Sequence, residues 1–179
     1  MTARIIILTG PPGAGKTTLA KRLTAMSPAI AAAHLHSDDF FGYIKKGFVA
    51  PWLTASARQN AAITEALAAS ACAFARAGIE VVLDGIVGPW FLGTYRNAAA
   101  PFGIELHYVV LRLSLETARV RARDRAVAPL ADYPVNIHEQ LADLGELEGH
   151  ALVIDGLNPD EALARVAEGL TAGRFRLPA

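Results

Sequence analysis

Sulfur is scarce in this chain of 179 residues, which has two methionines and a single cysteine, Cys72. One cysteine builds neither an intrachain disulfide nor a thiolate zinc site. Cys72 sits in an alanine-rich run and reads as a small buried apolar residue. An excess of charge of one sign is missing as well. Seventeen basic and 17 acidic residues give a formal net charge of +0, so no global field draws the chain to nucleic acid or to an anionic membrane. Any anion site must be local. Long apolar runs are also lacking. Ile5 to Leu8 is too short for a signal-peptide core and is followed by Gly-Pro instead of a cleavage site. Ala66 to Ala75, bounded by Glu65 and Arg76, falls short of the roughly 20 residues that cross a bilayer. These absences lead us to expect a cytoplasmic protein with no membrane or nucleic-acid partner, a monomer or weak dimer.

What is present is core material: 53% of the residues are hydrophobic, enough for one domain over positions 1–179. Short apolar runs alternate with longer helical patterns, the signature of βαβ units and a parallel α/β sheet covered on both faces. Five runs read as strands: Arg4 to Thr9, Ala32 to Ser37, Glu80 to Asp84, Glu105 to Leu113 and Ala151 to Asp155. Helices are expected over Lys16 to Met26, about Pro51 to Ala77, Pro89 to Ala100, Leu115 to Ala126, Val135 to Glu146 and Pro159 to Ala172. Asn158 can cap the last helix with Pro159 at its first position and Glu161 as capping-box partner, and Ser114 can cap the helix that carries the arginines.

Directly after the first strand comes "GPPGAGKTT", Gly10, Pro11, Pro12, Gly13, Ala14, Gly15, Lys16, Thr17 and Thr18. It fits G-x-x-x-x-G-K-[ST] in the strand, loop and helix order that pattern needs. A chain that wraps phosphate must turn tightly and bring backbone N–H groups to oxygen, and its glycines remove side chains from that approach. The helix beginning here aims its positive end at the same point. Lys16 can reach the β- and γ-phosphates, and the Thr17 hydroxyl is placed to ligate Mg²⁺. ATP and Mg²⁺ are therefore the expected cofactors.

Other charged positions follow strands. Asp84 ends the third strand, in "VVLDG", where a carboxylate could hold the metal opposite Thr17. In "RLSLETARVRARDR", Arg119 and Arg123 share one helix face, with Arg121 and Arg125 on roughly the opposite one. One pair can face a nucleotide while the other faces solvent. Positions 126–134 could form a short lid over the phosphates. Asp38 and Asp39, in "SDDFF", are adjacent carboxylates that repel each other between an apolar run and two phenylalanines.

Taken together, "GPPGAGKTT", "SDDFF", "VVLDG", "RVRARDR" and "DGLNPDE" resemble the small P-loop kinases, a group that includes nucleoside monophosphate, shikimate, gluconate, nicotinamide riboside and chloramphenicol kinases. The resemblance covers nearly the whole chain. It implies a P-loop NTPase three-layer α/β/α sandwich whose five parallel strands run in the order 2-3-1-4-5. It makes Lys16 the phosphate residue and Thr17 and Asp84 the magnesium residues. Asp38 becomes the carboxylate that binds the acceptor hydroxyl and serves as base, Arg119 an arginine packed on adenine, and Arg123 with Arg125 the lid arginines. Asp155 to Asn158 would wrap the far side of the base. Acceptor contacts are expected from positions 38–60 and 85–98, with Phe41, Arg58 and Gly85 beside Asp38.

The chain also departs from this pattern. Monophosphate kinases tend to follow the third-strand Asp-Gly with Phe-Pro-Arg, whereas "DGIVGPWF" supplies Gly88, Pro89 and Trp90. Trp52, Phe40, Phe41, Trp90, Phe91 and Tyr95 suggest aromatic walls for an acceptor. The expected activity is transfer of the ATP γ-phosphoryl to a hydroxyl of a small molecule: a sugar, sugar acid, nucleoside or antibiotic. A cytidylate-like kinase and an NTP-dependent switch are the alternatives.

Overall fold

The computed structural model describes residues 3–123 and 135–178. Five parallel strands, β1 (Ile5–Thr9), β2 (Ala32–His36), β3 (Glu80–Gly85), β4 (Leu106–Arg112) and β5 (Ala151–Val153), form one sheet in the order β2-β3-β1-β4-β5. The expected order is borne out. Ile7 of central β1 is level with Leu83 of β3 and Tyr108 of β4. Because successive side chains leave a strand on opposite faces, Ile5 and Ile7 join one apolar cluster and Ile6 and Leu8 another. The first cluster is closed by α3 (Ala57–Arg76) and α4 (Leu92–Ala99), the second by α1 (Lys16–Ala25) and α7 (Pro159–Thr171). Continuous apolar strands are what a sheet buried on both faces requires. Cys72 lies buried on α3, where burial pushes its thiol pKa up, in keeping with a packing role. Among the described residues no helix is long and apolar enough to cross a membrane.

Several boundaries differ from expectation, each for a local reason. β2 stops at His36 because Ser37 already begins α2 (Ser37–Gly42), so Asp38 and Asp39 stand in a helix first turn, where the positive helix end tolerates two carboxylates. The segment expected as helix from Pro51 is first a loop, then a 3₁₀ turn at Thr54–Ser56. Its backbone is held by side chains: Pro51 O accepts from Ser56 Oγ and Asn60 Nδ2, and Gln59 bonds Val49 N and O. Likewise α4 is preceded by a 3₁₀ turn at Pro89–Phe91. α6 (Val135–Gln140) ends well before Glu146. There Asp143 Oδ1 accepts from Gly145 N, and Gly145 adopts a positive φ of 56°, forming a turn in place of a further helical one.

Two further features sit at the sheet edges. β2 is an edge strand, and all five of its residues are only half-buried. On the far side, the C-terminal segment runs antiparallel beside β4: Tyr108 N donates to Phe175 O and Leu177 N to Leu106 O, both at 2.8 Å. α5 (Leu115–Arg123) follows β4. The expected lid, 126–134, and Arg125 lie outside the described residues, as do the side chains of Arg119 and Arg123.

Candidate active site

The loop Gly10–Gly15 leaves the end of β1 at the middle of the sheet and turns into α1. Two of its glycines answer to packing as much as to phosphate. A Cβ on Gly10 would stand 2.5 Å from Leu111 O, and Gly13, at φ 82°, would bring one within 3.0 Å of Ala118 O on α5. The loop is thus pressed against β4 and α5. Gly15 is the N-cap of α1 and supplies no side-chain cap, and the first turn carries no acidic residue. The exposed N–H groups and positive end of α1 suit an anion. Lys16 Nζ donates to Pro11 O at 3.1 Å, which draws its ammonium over the loop.

Thr17 Oγ1 donates to Asp84 Oδ2 at 2.7 Å. Asp84 is fully buried at the end of β3, level with His36 of β2. Its other oxygen meets His34 Nε2 at 2.5 Å and His36 Nδ1 at 3.0 Å. A carboxylate only accepts, so each ring nitrogen donates, and the two imidazoles hold Oδ2 toward Thr17. A buried carboxylate beside a hydroxyl is a hard oxygen pair, which fits Mg²⁺. The orienting imidazoles serve as an outer shell to it. His36 also turns its Nε2 to Asp38 Oδ2 at 3.5 Å, so Thr17, Asp84, His36 and Asp38 form one continuous chain of contacts.

Sequence reasoning missed both histidines. The signal was the His-x-His alternation, which puts both rings on one face of β2. Only the β2–β3 register reveals that this face meets Asp84.

Two cavities flank this chain. One of about 470 Å³ is lined by Gly13, Gly15, Thr18, Arg121, Leu157 and Asn158. It has the position and walls for a nucleotide base beside the loop. Arg121, a member of the pair opposite Arg119 and Arg123, is the described arginine that reaches it. Asn158 lines the same cavity while its Oδ1 caps α7, accepting from Asp160 N and Glu161 N in the expected capping box. Asp155 is not among the residues that line this cavity. Its carboxylate accepts from Thr117 Oγ1 and from Ser114 N and Oγ, bonds that hold its pKa below the usual carboxylate range. It therefore braces the start of α5.

The second cavity, about 440 Å³, opens on the other side of Asp38, and its wall includes Phe41, Trp52, Asn60, Trp90 and Tyr95. Asp38 stands at its edge with 73% of its side chain exposed. Gly85 acts through packing here. A Cβ on it would fall 1.9 Å from Ser37 Oγ, so glycine is what lets the start of α2 close on the end of β3. Gly88 plays a similar part for Trp90, whose ring lies 2.3 Å from where its Cβ would be. The Val87 backbone between them is pinned, its N–H to Thr9 Oγ1 and its carbonyl to the Tyr108 hydroxyl. Arg58 is exposed in the first turn of α3 and is not part of this wall. Asn60 and Thr64, which do line it, carried no sequence signal beyond their place on an amphipathic helix.

Comparison with known proteins agrees with this architecture. The profile of a family described as AAA domain matches residues 5–144. No curated protein sequence matches. Among solved structures, an unliganded sugar kinase from Janibacter sp. HTCC2649 superposes with a TM-score of 0.69 at 19% identity, over 94% of this chain and 95% of that one. The Mycobacterium tuberculosis APS kinase CysC in complex with AMPPNP and APS gives 0.66 at 19% identity, over 95% and 98%. A gluconokinase from Sinorhizobium meliloti 1021 gives 0.57 at 17%, over 96% and 97%. At such identities the likeness is one of fold. By its profile match the chain belongs to the AAA domain family, and its fold is that of the small P-loop kinases.

Proposed function

We propose that this protein is an ATP-dependent phosphotransferase that moves the γ-phosphoryl group to a hydroxyl of a small-molecule acceptor. The observation that carries the proposal is the pair of cavities on either side of one contact chain, with the phosphate loop at one end and Asp38 at the other. A switch or a plain hydrolase has no need of the second cavity. The kinase descriptions of its structural neighbours, one of them binding AMPPNP and APS, support the same reading.

On this reading the base occupies the cavity beside Arg121 and Asn158, the loop N–H groups and Lys16 hold the phosphates, and the acceptor enters beside Asp38. Thr17 and Asp84 would hold Mg²⁺, which supplies charge neutralisation on the β- and γ-phosphates. Asp38 accepts a hydrogen bond from the acceptor hydroxyl and takes its proton as the new P–O bond forms and the bond to the β,γ-bridging oxygen breaks, so that ADP leaves. His36, set between Asp84 and Asp38, would tie the Asp38 carboxylate to the Thr17–Asp84 pair. Most of the rate comes from alignment and electrostatics, because phosphoryl transfer asks for little covalent help. The test is Asp38→Asn in a screen of ATP against sugars, sugar acids, nucleosides and antibiotics. Loss of phosphorylated product with nucleotide affinity retained is expected. Unchanged ATP hydrolysis with no acceptor phosphorylated by the native protein would favour a switch.

A further inference from the structure

The wall of the cavity beside Asp38 is mostly aromatic and aliphatic, built from Phe41, Trp52, Trp90 and Phe91 with Ile63 and Leu67 behind them. Among the described residues that line it there is no lysine, arginine or histidine. Two polar atoms of wall residues are buried without a hydrogen-bond partner, Asn60 Oδ1 and the Tyr95 hydroxyl. The Asn60 amide is not free to flip. Its Nδ2 donates to Pro51 O at 2.8 Å and to Ser56 Oγ at 2.9 Å, and a carbonyl at the first of these positions needs a donor. Oδ1 is thus an acceptor by construction. Tyr95 is only 1% exposed, and a buried phenol ordinarily finds a partner.

We infer that the acceptor is an uncharged alcohol with a flat apolar body, carrying an N–H or O–H group that pairs with Asn60 Oδ1 and Tyr95 while its reacting hydroxyl meets Asp38. The assignment of Asp38 rests on the kinase reading; the ligand class rests on the wall. A carboxylate or phosphate on the acceptor would leave water for apolar surface and meet an orphan acceptor oxygen, which is unfavourable on both counts. A flat neutral body instead buries apolar area between rings. Both residues line the cavity, so these two atoms are the unpaired polar groups of its wall. Nucleosides and aryl amido-alcohols share this chemistry.

The chain's two tryptophans, Trp52 and Trp90, both line the cavity, so intrinsic fluorescence reports on it directly. With the nucleotide site saturated by AMPPNP, the full chain is titrated with two matched pairs, cytidine against CMP and N-acetylphenylalaninol against N-acetylphenylalanine. In at least one pair the neutral member should shift tryptophan emission and bind about tenfold tighter than its anionic partner. Tyr95→Phe removes only an unpaired hydroxyl, so its melting temperature should hold or rise while affinity for the neutral probe falls about tenfold. A tyrosine with a merely structural role predicts no change in affinity. Anionic members that bind as tightly, or neutral members that leave the emission unmoved, overturn the inference. Product analysis with ATP separates it from the kinase reading. If CMP or gluconate is phosphorylated, the ligand class falls and the kinase stands. If neutral probes bind and no phosphorylated product forms, the kinase falls and the class stands.

Discussion

The two sides of the cleft are built in opposite ways. On the proposed nucleotide side, the phosphate cradle would be nine consecutive residues, Gly10 to Thr18, and most of its contact would come from backbone N–H groups. The acceptor side draws its wall from α2, the loop before α3, α3 itself, the turn at Pro89–Phe91, α4 and α6. A phosphate is the same in every nucleotide, so a contiguous backbone motif suffices for it. An acceptor with its own shape needs side chains gathered from many places, and each can change independently. The first side should therefore be brittle to single substitutions, the second graded.

The strongest break in that contrast is at the chemistry itself. Lys16→Ala should lower both ATP affinity and turnover, whereas Asp38→Asn should lower turnover by roughly 10²–10⁴-fold with ADP affinity unchanged by calorimetry. Equal losses of nucleotide affinity in both variants would erase the distinction between the two sides. Next in size is Gly10→Ala. Its methyl would stand 2.5 Å from Leu111 O in a backbone with φ 153°, and overpacking of that kind costs about 1–3 kcal/mol. Urea denaturation should show this loss together with weakened ATP binding. A Gly85→Ala variant, with its methyl 1.9 Å from Ser37 Oγ, should lose a similar amount yet raise the acceptor KM more than the ATP KM.

This asymmetry also explains what the sequence could reveal. The phosphate loop and the five strands were legible because each is a contiguous pattern, and the sheet order followed from the family resemblance. Asp38 was singled out from the sequence, but its place in a helix first turn was not foreseen, since two carboxylates after an apolar run look the same at a strand end or a helix start. His34 and His36 escaped because their partner, Asp84, lies 48 residues beyond His36 and meets it only through the β2–β3 register. Arg121 was assigned to the face opposite Arg119 and Arg123. Which arginine of α5 reaches the cavity beside the phosphate loop depends on the phase of a short helix, which packs at Ala118 against Gly13. Tyr95 was read as one of the aromatic wall residues, but the unpaired state of its hydroxyl, and Asn60 altogether, became visible only in the folded wall.

A milder test belongs to Arg121. Arg121→Ala should weaken ATP binding by about tenfold, the scale of one stacked or paired guanidinium, with acceptor KM unmoved in steady-state assays. An effect on acceptor KM instead would put this arginine at the phosphates and not at the base.

The smallest effect is expected at Asp155, which lies on the nucleotide side but whose carboxylate is engaged by Thr117 and Ser114. Those bonds hold its pKa below the ordinary carboxylate value, the Thr117 hydroxyl contributing most. A carboxylate whose folded pKa is depressed stabilises the fold fully above its unfolded value of roughly 3.9, and that contribution fades as pH falls toward the folded value. Asp155→Asn should therefore leave the native and variant melting temperatures farthest apart near neutral pH and bring them together in the acid range. ATP affinity should change little at any pH. A large loss of affinity at neutral pH, with the acid dependence unchanged, would return Asp155 to the role of a nucleotide contact that the family resemblance implied.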